Sequence, residues 1–293
     1  MGMEVRATTR RVNAILPAWA SALDIRFLDL VSTSEDQLAI LLQDVDAVVH
    51  LAALNSRQSA ADPISAIDVN VRGTQKLILA AAERGVQDFI YVSTAHIYGS
   101  PLIGRIDEKT LPRSTHPYAW THRAAEDIVL GTPNVGGVVL RLSNAVGAPM
   151  DAGADCWMLV ALDLCRQAIR DCEMVISGDG TQVRDFISMS DVTRVIGHML
   201  LKPKPGADVG VYNIGGKCTL SVLALAKRIA EISKINPKIR THVSDEMGQH
   251  EPTSKSLFYA IGKIESTGFD VTGKLDLELA EILEYCRTGR TQS

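Results

Sequence analysis

The sequence predicts an α/β protein in which a parallel sheet is covered by helices on both faces. Short apolar runs rich in β-branched residues alternate with longer stretches of helical periodicity along the first half of the chain. The strand runs are almost wholly apolar, as expected when helices bury both faces of a sheet. We predict one large domain over residues 1–150, with a return strand near 183–188, and a smaller lobe over 151–293.

The predicted elements of the first half follow one another closely. Ser32, Ser34 and Glu35 are typical of a helix start, because such side chains bond the free N–H groups of a first turn. In chain order we predict strand 3–10, helix 12–23, strand 23–30, helix 34–43, strand 47–53, helix 63–84, strand 89–92, helix 118–130 and strand 137–147.

Composition and charge exclude several classes of function. The chain has 293 residues, a formal net charge of -4 and 46% hydrophobic residues, which supports a sizeable core. Because Lys and Arg are not concentrated in any segment, we expect no nucleic-acid partner. No apolar run reaches the roughly 20 residues that cross a bilayer, so we expect no membrane partner and a cytoplasmic location. The five cysteines form no CxxC pair, so neither a disulfide framework nor a metal site is predicted.

The most informative stretch runs from Asp88 to Ile128. A buried strand ends in two hydroxyl residues, Ser93 and Thr94, and chemistry often lies at the carboxyl ends of parallel strands. Tyr118 begins a helical run in which His122 lies four residues later, so these two side chains share a helix face. A hydroxyl and a phenol placed together can handle the proton of an alcohol while another group takes its hydride.

Several motifs occur in the same order as in a known family. They are HLAA at 50–53, NVRGT at 70–74, a YG pair at 98–99, RLSNAVG at 141–147, GDGTQVRDFISMSDV at 178–192 and YNIGG at 212–216. With the Tyr118 segment, they resemble the extended short-chain dehydrogenase/reductase family of sugar-nucleotide epimerases and dehydratases. The resemblance implies a Rossmann-like nucleotide-binding domain with a substrate-binding lobe, NAD or NADP as cofactor, a nucleotide sugar as substrate and an oxidoreductase of epimerase/dehydratase type.

The family's catalytic residues correspond to three positions here. In the family a tyrosine exchanges a proton with the sugar hydroxyl and a serine or threonine bonds the same oxygen, which points to Tyr118 and Thr94. A lysine four residues after the tyrosine lowers the pKa of the phenol, but His122 occupies that position. With an unperturbed pKa near 6.5, His122 is expected to be mostly neutral at pH 7 and to give little of that help.

The resemblance also implies binding residues. Arg10 or Arg11 would meet a cofactor 2′-phosphate, Asp29 with Leu30 would hold the adenine, and Asn144 and Arg184 would contact the substrate; the remaining cofactor positions are Leu51, Ala52, Ala53 and Asn70. Two alternatives stay open from the residues themselves. Asp29 at a strand end is also typical of a turn cap, and Arg184 with Asp185 is also typical of a structural pair.

The family's glycine-rich strand–loop–helix has no counterpart in the sequence, since the first glycine after Gly2 is Gly73. Either the sequence is truncated or the protein has lost its pyrophosphate cradle. Together with His122, this favours an alternative function, that of a catalytically degenerate homologue acting as a binding or assembly partner. The family's mode of pairing predicts a homodimer built from apolar positions on two helices: Ala124, Ala125, Ile128 and Val129 on one, and Ile67, Val71, Leu77 and Ala81 on the other.

The absent loop predicts weak cofactor binding. Without backbone N–H donors on the pyrophosphate, added NAD(H) or NADP(H) should bind with a dissociation constant above about 100 μM, or roughly 5.5 kcal/mol of binding free energy. Calorimetry measures this directly. Low-micromolar binding would mean that another segment supplies the cradle.

Overall fold

The chain folds into two units, each assembled from several chain segments. The computed structural model describes residues 2–11, 18–151, 153–201, 210–242 and 256–289. The first unit comprises Met1–Ile97, Ser114–Leu140 and Pro203–Val211, and the second comprises Tyr98–Arg113, Arg141–Lys202 and Tyr212–Ser293. This division differs from the predicted single boundary at residue 150, because strand pairing joins segments that are distant in sequence.

The strands and helices of the described residues alternate along the first half, as predicted. The strands are β1 Arg6–Thr9, β2 Asp24–Phe27, β3 Ala47–His50, β4 Asp88–Thr94, β5 Gly104–Ile106, β6 Gly136–Leu142, β7 Asn144–Val146, β8 Glu173–Ser177, β9 Val183–Ser188, β10 Gly210–Ile214, β11 Thr219–Ser221, β12 Lys238–His242 and β13 Leu257–Tyr259. The helices are α1 Glu35–Leu41, α2 Ser56–Ala61, α3 Pro63–Ala66, α4 Thr74–Glu83, α5 Pro117–Gly131, α6 Val160–Arg170, α7 Met189–Leu201, α8 Val222–Ser233, α9 Gly262–Glu265 and α10 Leu275–Thr288.

The main sheet of the first unit has the strand order β10-β6-β4-β3. β3 and β4 run parallel, with Ala47 opposite Asp88 and His50 opposite Tyr91, which confirms the predicted parallel arrangement. β1 and β2 also run parallel but form a sheet of their own. The unit therefore contains two sheets instead of the single predicted one, because no strand among the described residues joins β1 to β3.

Local sequence signals explain most of the element boundaries. Ser34 caps α1 by a capping box, in which its hydroxyl accepts from the N–H of Gln37 and the Gln37 side chain accepts from the N–H of Ser34. The helix predicted over 63–84 is present, but a π-helical segment, Ile67–Gly73, separates α3 from α4. The predicted helix 12–23 lies partly outside the described residues, and the described part is a 3-10 helix, Ala18–Ala22.

The core of the first unit lies between α1, α4, α5 and the main sheet. Leu77, Ile78 and Ala81 of α4 point inward, as predicted. The other fully buried members are Leu38, Leu42, Ala80, Val86, Phe89, Tyr91, Ala125, Val129 and Val139. Burial of this apolar surface is the main source of stability for these elements and fixes α5 against β4.

The second unit contains three small sheets, with orders β11-β9-β7, β12-β8 and β13-β5. The predicted return strand is present as β9, but it pairs with β7 in parallel and with β11 in antiparallel orientation. The expectation that it completes the main sheet was therefore wrong, since the edge of that sheet is formed by β10. Among the described residues, the structure has no helix long and apolar enough to span a membrane.

A buried carboxylate organises one end of the second unit. Asp191, at the start of α7, is fully buried. It accepts hydrogen bonds from the backbone N–H of Thr272 at 3.0 Å, from the Ser188 hydroxyl at 2.8 Å and from the Arg194 guanidinium at 2.6 Å. It thus joins the end of β9, the first turn of α7 and the loop that precedes α10.

Replacing this carboxylate should destabilise the protein strongly. Asp191→Ala leaves several buried donors without an acceptor, so we expect the free energy of unfolding to fall by about 3 kcal/mol. Urea denaturation measures the change. Asp171→Ala, at an exposed position after α6, is the matched control. An equal loss of unfolding free energy in both variants would show that the hydrogen bonds of Asp191 do not stabilise the protein in this way.

Candidate active site

The first turn of α5 places Tyr118 near the carboxyl end of β4. Helix α5 begins where the sequence predicts, because the His116 ring accepts a hydrogen bond from the N–H of Tyr118 at 3.2 Å and Pro117 occupies the first helical position. Farther along, Ala125 and Val129 pack into the same core as Phe89 and Tyr91 of the strand. The last residue of β4 is Thr94.

Thr94 and Tyr118 are neighbours, since a hydrogen bond from Thr94 is one of the influences on the pKa of the Tyr118 phenol. The Thr94 hydroxyl oxygen accepts the N–H of His96 at 3.1 Å, which leaves its proton free for the phenol oxygen of Tyr118. Burial raises the pKa of Tyr118 above 10, while the hydrogen bond from Thr94 lowers it in part. At neutral pH the phenol is therefore protonated, and the pair is arranged to donate a proton to a substrate oxygen.

His122 lies directly beneath Tyr118, one helical turn later. The two ring centroids are 4.3 Å apart, and the Nδ1 atom of His122 is 2.8 Å from the carbonyl oxygen of Tyr118. A carbonyl only accepts hydrogen bonds, so Nδ1 carries the proton and Nε2 is bare. Burial lowers the pKa of His122 to about 4. The imidazole is therefore neutral throughout the physiological range, in line with the expectation that it is mostly neutral at pH 7, and its pKa lies well below the unperturbed value of 6.5.

A second neutral histidine lies on the other side of Tyr91. The ring centroid of Tyr91 is 5.9 Å from that of His122 and 5.5 Å from that of His50. His50 Nε2 is 2.9 Å from the Thr74 hydroxyl, whose own proton goes to the carbonyl of Asn70, so Nε2 is a donor. Burial lowers the pKa of His50 to about 4 as well. Two neutral imidazole rings and the ring of Tyr91, tilted against one another, thus lie next to Tyr118.

Three of the predicted cofactor residues follow β3 directly. Leu51, Ala52 and Ala53 are exposed, with Leu51 64% exposed. Since β3 and β4 are parallel neighbours in register, this segment and Thr94 lie at the same edge of the sheet. Small or apolar exposed side chains at that edge fit the flat face of a nicotinamide.

Asp29, predicted to hold the adenine, makes the bonds of a turn cap. Its carboxylate oxygen Oδ1 accepts the backbone N–H groups of Val31 and Ser32, each at 2.9 Å. These backbone hydrogen bonds contribute most to lowering its pKa, and the exposed Arg10 adds a small electrostatic contribution. Leu30 is partly buried and packs against the core of the unit. The second oxygen of Asp29 and the Arg10 guanidinium are the groups here that suit an adenosine.

Asn70, the last predicted cofactor residue, is fully buried. Its amide oxygen accepts the N–H of Leu54 at 2.8 Å, and its amide nitrogen donates to the Thr121 hydroxyl at 3.0 Å. It thus ties the segment after β3 to α5. Both ends of the amide are bonded within the protein, so contact with a cofactor would require one of these bonds to be exchanged.

The predicted substrate residues lie in the second unit. Asn144 donates to the carbonyl of Asp185 at 2.9 Å, and the half-buried Arg184 donates to the Gln182 side chain at 2.7 Å. Burial lowers the pKa of Arg184. The Asp185 carboxylate accepts the N–H of Gly216 at 2.8 Å, and Gly216 lies so close to the backbone of Phe186 that a Cβ would clash. This explains the two glycines of YNIGG, whereas Arg184 still has donors to offer.

Two features of the site were missed in the sequence. His96 is exposed on the turn after β4, and its ring centroid is 6.4 Å from that of Tyr118. Glu126 is fully buried and accepts a hydrogen bond from Ser93 at 2.5 Å. Glu126 follows Tyr118 by eight residues and His122 by four, so the helical spacing that pointed to His122 also points to Glu126.

A separate cleft in the first unit lies away from the pair. It has a volume of about 420 Å³ and lies between α1 and α4, where its lining includes Glu35, Asp68, Arg72 and Lys76. Of the predicted site residues, Leu30 alone is among its lining residues. We therefore place the candidate active site at Thr94 and Tyr118, at the end of β4, and not in this cleft.

The neutral state of His122 makes stability depend on pH. Its folded-state pKa of about 4 lies below the ordinary value of 6.5, so the unfolded chain binds more protons between these values. Its contribution is complete above pH 6.5 and is lost as pH falls toward 4, by about 3 kcal/mol in total. As the pH falls from 6.5 toward 4, the difference in unfolding free energy between the wild type and His122→Asn should therefore fall by this amount.

The comparison with a variant is needed because burial raises the pKa of Asp185 to about 6, which changes stability in the opposite sense over the same pH range. Asparagine keeps a donor near the carbonyl of Tyr118 but does not titrate. Urea titrations at a series of pH values give the difference. Parallel curves for the two proteins would contradict a neutral buried His122.

Comparisons with known proteins agree with the motifs and the fold. The model of the NAD dependent epimerase/dehydratase family matches residues 1–215. The dTDP-D-glucose 4,6-dehydratase of Mus musculus is 33% identical over 210 residues, which cover 70% of this chain and 57% of that protein. A protein of Bacillus subtilis (strain 168) described as an uncharacterized UDP-glucose epimerase is 30% identical over 220 residues, covering 72% of this chain and 65% of that protein. The chain thus spans little more than half the length of the first of these relatives.

Solved structures give the same result. MoeE5 in complex with UDP-glucuronic acid and NAD superposes with a TM-score of 0.80 and 28% identity, over 99% of this chain and 92% of that one. The UDP-glucuronic acid 4-epimerase from Bacillus cereus in complex with NAD gives a TM-score of 0.78 and 26% identity, over 92% and 83%. The Rossmann-like fold is confirmed, and the chain belongs to the NAD-dependent epimerase/dehydratase family.

Proposed function

We propose that the protein is an oxidoreductase of the epimerase/dehydratase type that acts on a nucleotide sugar with NAD or NADP, in the cytoplasm. The observation that carries the proposal is the position of Tyr118, in the first turn of α5, beside Thr94 at the carboxyl end of β4, where Thr94 lowers the pKa of the phenol. The bound nicotinamide would supply or accept the hydride. Leu51, Ala52 and Ala53 fit its ring, whereas the sequence has no glycine-rich loop for its pyrophosphate.

The protein's own residues would handle the proton. In the reducing direction Tyr118 donates its proton to the substrate oxygen while Thr94 bonds the same atom. In the oxidising direction Tyr118 must first lose its proton, and burial, which raises the pKa of the phenol, makes that costly. The site therefore favours the reducing half-reaction at neutral pH and the oxidising half-reaction only in alkali.

The nucleotide sugar follows from the relatives. Solved members are complexes with UDP-glucuronic acid, as in MoeE5, and with UDP-glucose, as in a second MoeE5 structure. Arg184 is the residue that suits the diphosphate, since a guanidinium makes charge-assisted bonds to phosphate oxygens. Asn144 would contact the sugar or its diphosphate.

A second candidate function is that of a degenerate homologue without turnover, which serves as a binding or assembly partner. The neutral His122 beneath Tyr118 favours it, because the position that carries a permanent cation in the family has none here. The two functions differ in one measurable respect. The first requires that hydride transfer to or from a nicotinamide can be detected with a nucleotide sugar.

The substitution His122→Lys separates the two candidates. A permanent charge about 4 Å from the phenol is worth roughly 4 kcal/mol at an effective dielectric of 20, or up to about three pKa units. We expect it to lower the pKa of Tyr118 and to raise the single-turnover rate of hydride transfer from the sugar to the oxidised cofactor near pH 7. The wild type should become faster only as the pH rises.

Tyr118→Phe is the blank for this experiment. The single-turnover reduction of the cofactor by the nucleotide sugar is followed by nicotinamide absorbance. It is measured over a pH series for the wild type and both variants. If His122→Lys gains nothing at any pH while cofactor is bound, the missing lysine does not limit the protein. Substrate binding or the cofactor cradle would then be the limiting defect, and the degenerate homologue would be the better account.

We also propose a homodimer that pairs through α4, the π-helical segment and α5. Of the apolar positions predicted for the contact, Leu77, Ala81, Ala125 and Val129 are already buried in the core of the first unit. Those that remain partly exposed are Ile67, Val71, Ala124 and Ile128. These leave an apolar stripe on each helix that suits a two-fold contact.

Light scattering at micromolar concentration should therefore give the mass of a dimer. Because the contact is apolar, added salt should not dissociate it. A monomeric mass at every concentration, or a dimer that dissociates in salt, would contradict this mode of pairing.

A further inference from the structure

A buried carboxylate on α5 has no part in the proposed proton transfer. Glu126 is fully buried, and burying a charged carboxylate is unfavourable unless it is paired. The Ser93 hydroxyl donates to its Oε1 atom at 2.5 Å, and the Arg123 guanidinium donates to its Oε2 atom at 3.2 Å. Ser93 itself is 4% exposed. The Ser93–Glu126 bond is thus a short bond to a charged acceptor in a dry environment.

This bond joins the same strand and the same helix as the Thr94–Tyr118 pair. Ser93 immediately precedes Thr94 in β4, and Glu126 follows Tyr118 by eight residues in α5, about 12 Å along the helix axis. The helix is therefore attached to the strand end at two polar points. One of these contacts is that of Thr94 with Tyr118, and the other is the buried hydrogen bond of Ser93 with Glu126.

The other described side chains of α5 that meet β4 make ring or apolar contacts, as His122 does with the ring of Tyr91. Ala125 and Val129 pack with Phe89 and Tyr91 in the core of the unit. Apolar packing fixes the separation of the helix from the sheet, but it has no preferred direction along the helix axis. A hydrogen bond is directional and weakens steeply when it is misaligned, so it does fix the axial position.

We propose that Glu126 is a positioning residue, which through Ser93 holds α5 at the axial position where the phenol of Tyr118 meets the hydroxyl of Thr94. The chemical consequence rests on the proposed function, but the positional claim does not. A displaced helix would weaken the hydrogen bond by which Thr94 lowers the pKa of Tyr118, because such a bond weakens steeply when it is misaligned. In the described part of the chain, Arg123 pairs with Glu126 and Asp127 of its own helix.

The test measures the ionisation of Tyr118 without cofactor or turnover, so an inactive protein still gives an answer. Incorporation of 3-fluorotyrosine lowers the pKa of all six tyrosines and makes each visible by fluorine NMR, with Tyr118 assigned by Tyr118→Phe. Thr94→Val removes the bond to the phenol and should raise its pKa by roughly one unit. Ser93→Ala and Glu126→Ala should raise it in the same direction, whereas Glu126→Gln, which keeps an acceptor for Ser93, should not.

The sign of the effect separates position from charge. Removing a nearby negative charge would by itself lower the pKa of Tyr118, so a rise in Glu126→Ala reports a displaced helix. In the Thr94→Val background, Ser93→Ala should add nothing, because both changes act through one bond. Asp127→Ala, at an exposed position that also pairs with Arg123, is the control and should leave Tyr118 unchanged.

Two results would overturn the proposal. In the first, Ser93→Ala and Glu126→Ala lower the melting temperature but leave the pKa of Tyr118 at the wild-type value, which would make the bond purely structural. In the second, Thr94→Val itself has no effect, which would mean that there is no Thr94–Tyr118 bond to position. Should Glu126→Ala fail to fold, Ser93→Ala and Glu126→Gln still decide between the outcomes.

Discussion

The packing of α5 against the end of β4 is the constraint on which the candidate site depends. The helix brings its Tyr118 to Thr94, its His122 to the ring of Tyr91 and its Glu126 to Ser93, three contacts at successive turns of one face. Because the strand is central in the main sheet, its end cannot shift without moving β3 and β6 as well. The geometry of the reactive pair is therefore set by the core beneath it.

That core also decides the electrostatics of the pair. Water is excluded from the space between α5 and the sheet, and both histidines there lose their charge, since burial lowers the pKa of His50 and His122 to about 4. Desolvation also raises the pKa of Tyr118, whose side chain is only partly exposed. A phenol that resists ionisation is a good proton donor and a poor base. This connects the replacement of a lysine by His122 to a directional bias in the proposed reaction.

Sequence alone was sufficient where local spacing fixes the geometry. The interval of four between Tyr118 and His122 indicated that these two side chains share a helix face, and their ring centroids are 4.3 Å apart. The pattern around Ser34 likewise gave the start of α1. Glu126 obeys the same helical spacing, yet a lone glutamate in a helix is usually solvated, so the burial that makes it informative is visible only in the folded protein.

The features that the sequence did not predict depend on contacts between residues that are distant along the chain. The pairing of β9 with β7 and β11, and the position of β10 at the edge of the main sheet, depend on contacts between distant segments that no local pattern encodes. The extent to which the pKa of His122 is lowered was likewise not visible in the sequence, because burial in the folded protein sets it. For Asp29 the sequence left two alternatives open, an adenine contact and a turn cap. Its two hydrogen bonds from backbone N–H groups are those of a turn cap.

The central claim is that a neutral imidazole, protonated at Nδ1, lies beneath the phenol of Tyr118. Nitrogen-15 NMR of the ring of His122 reads both the tautomer and the charge directly. The account predicts a proton on Nδ1 alone from neutral pH down to about pH 5, with protonation of Nε2 only as pH approaches about 4. A ring that is doubly protonated at pH 7, or that carries its single proton on Nε2, would contradict it.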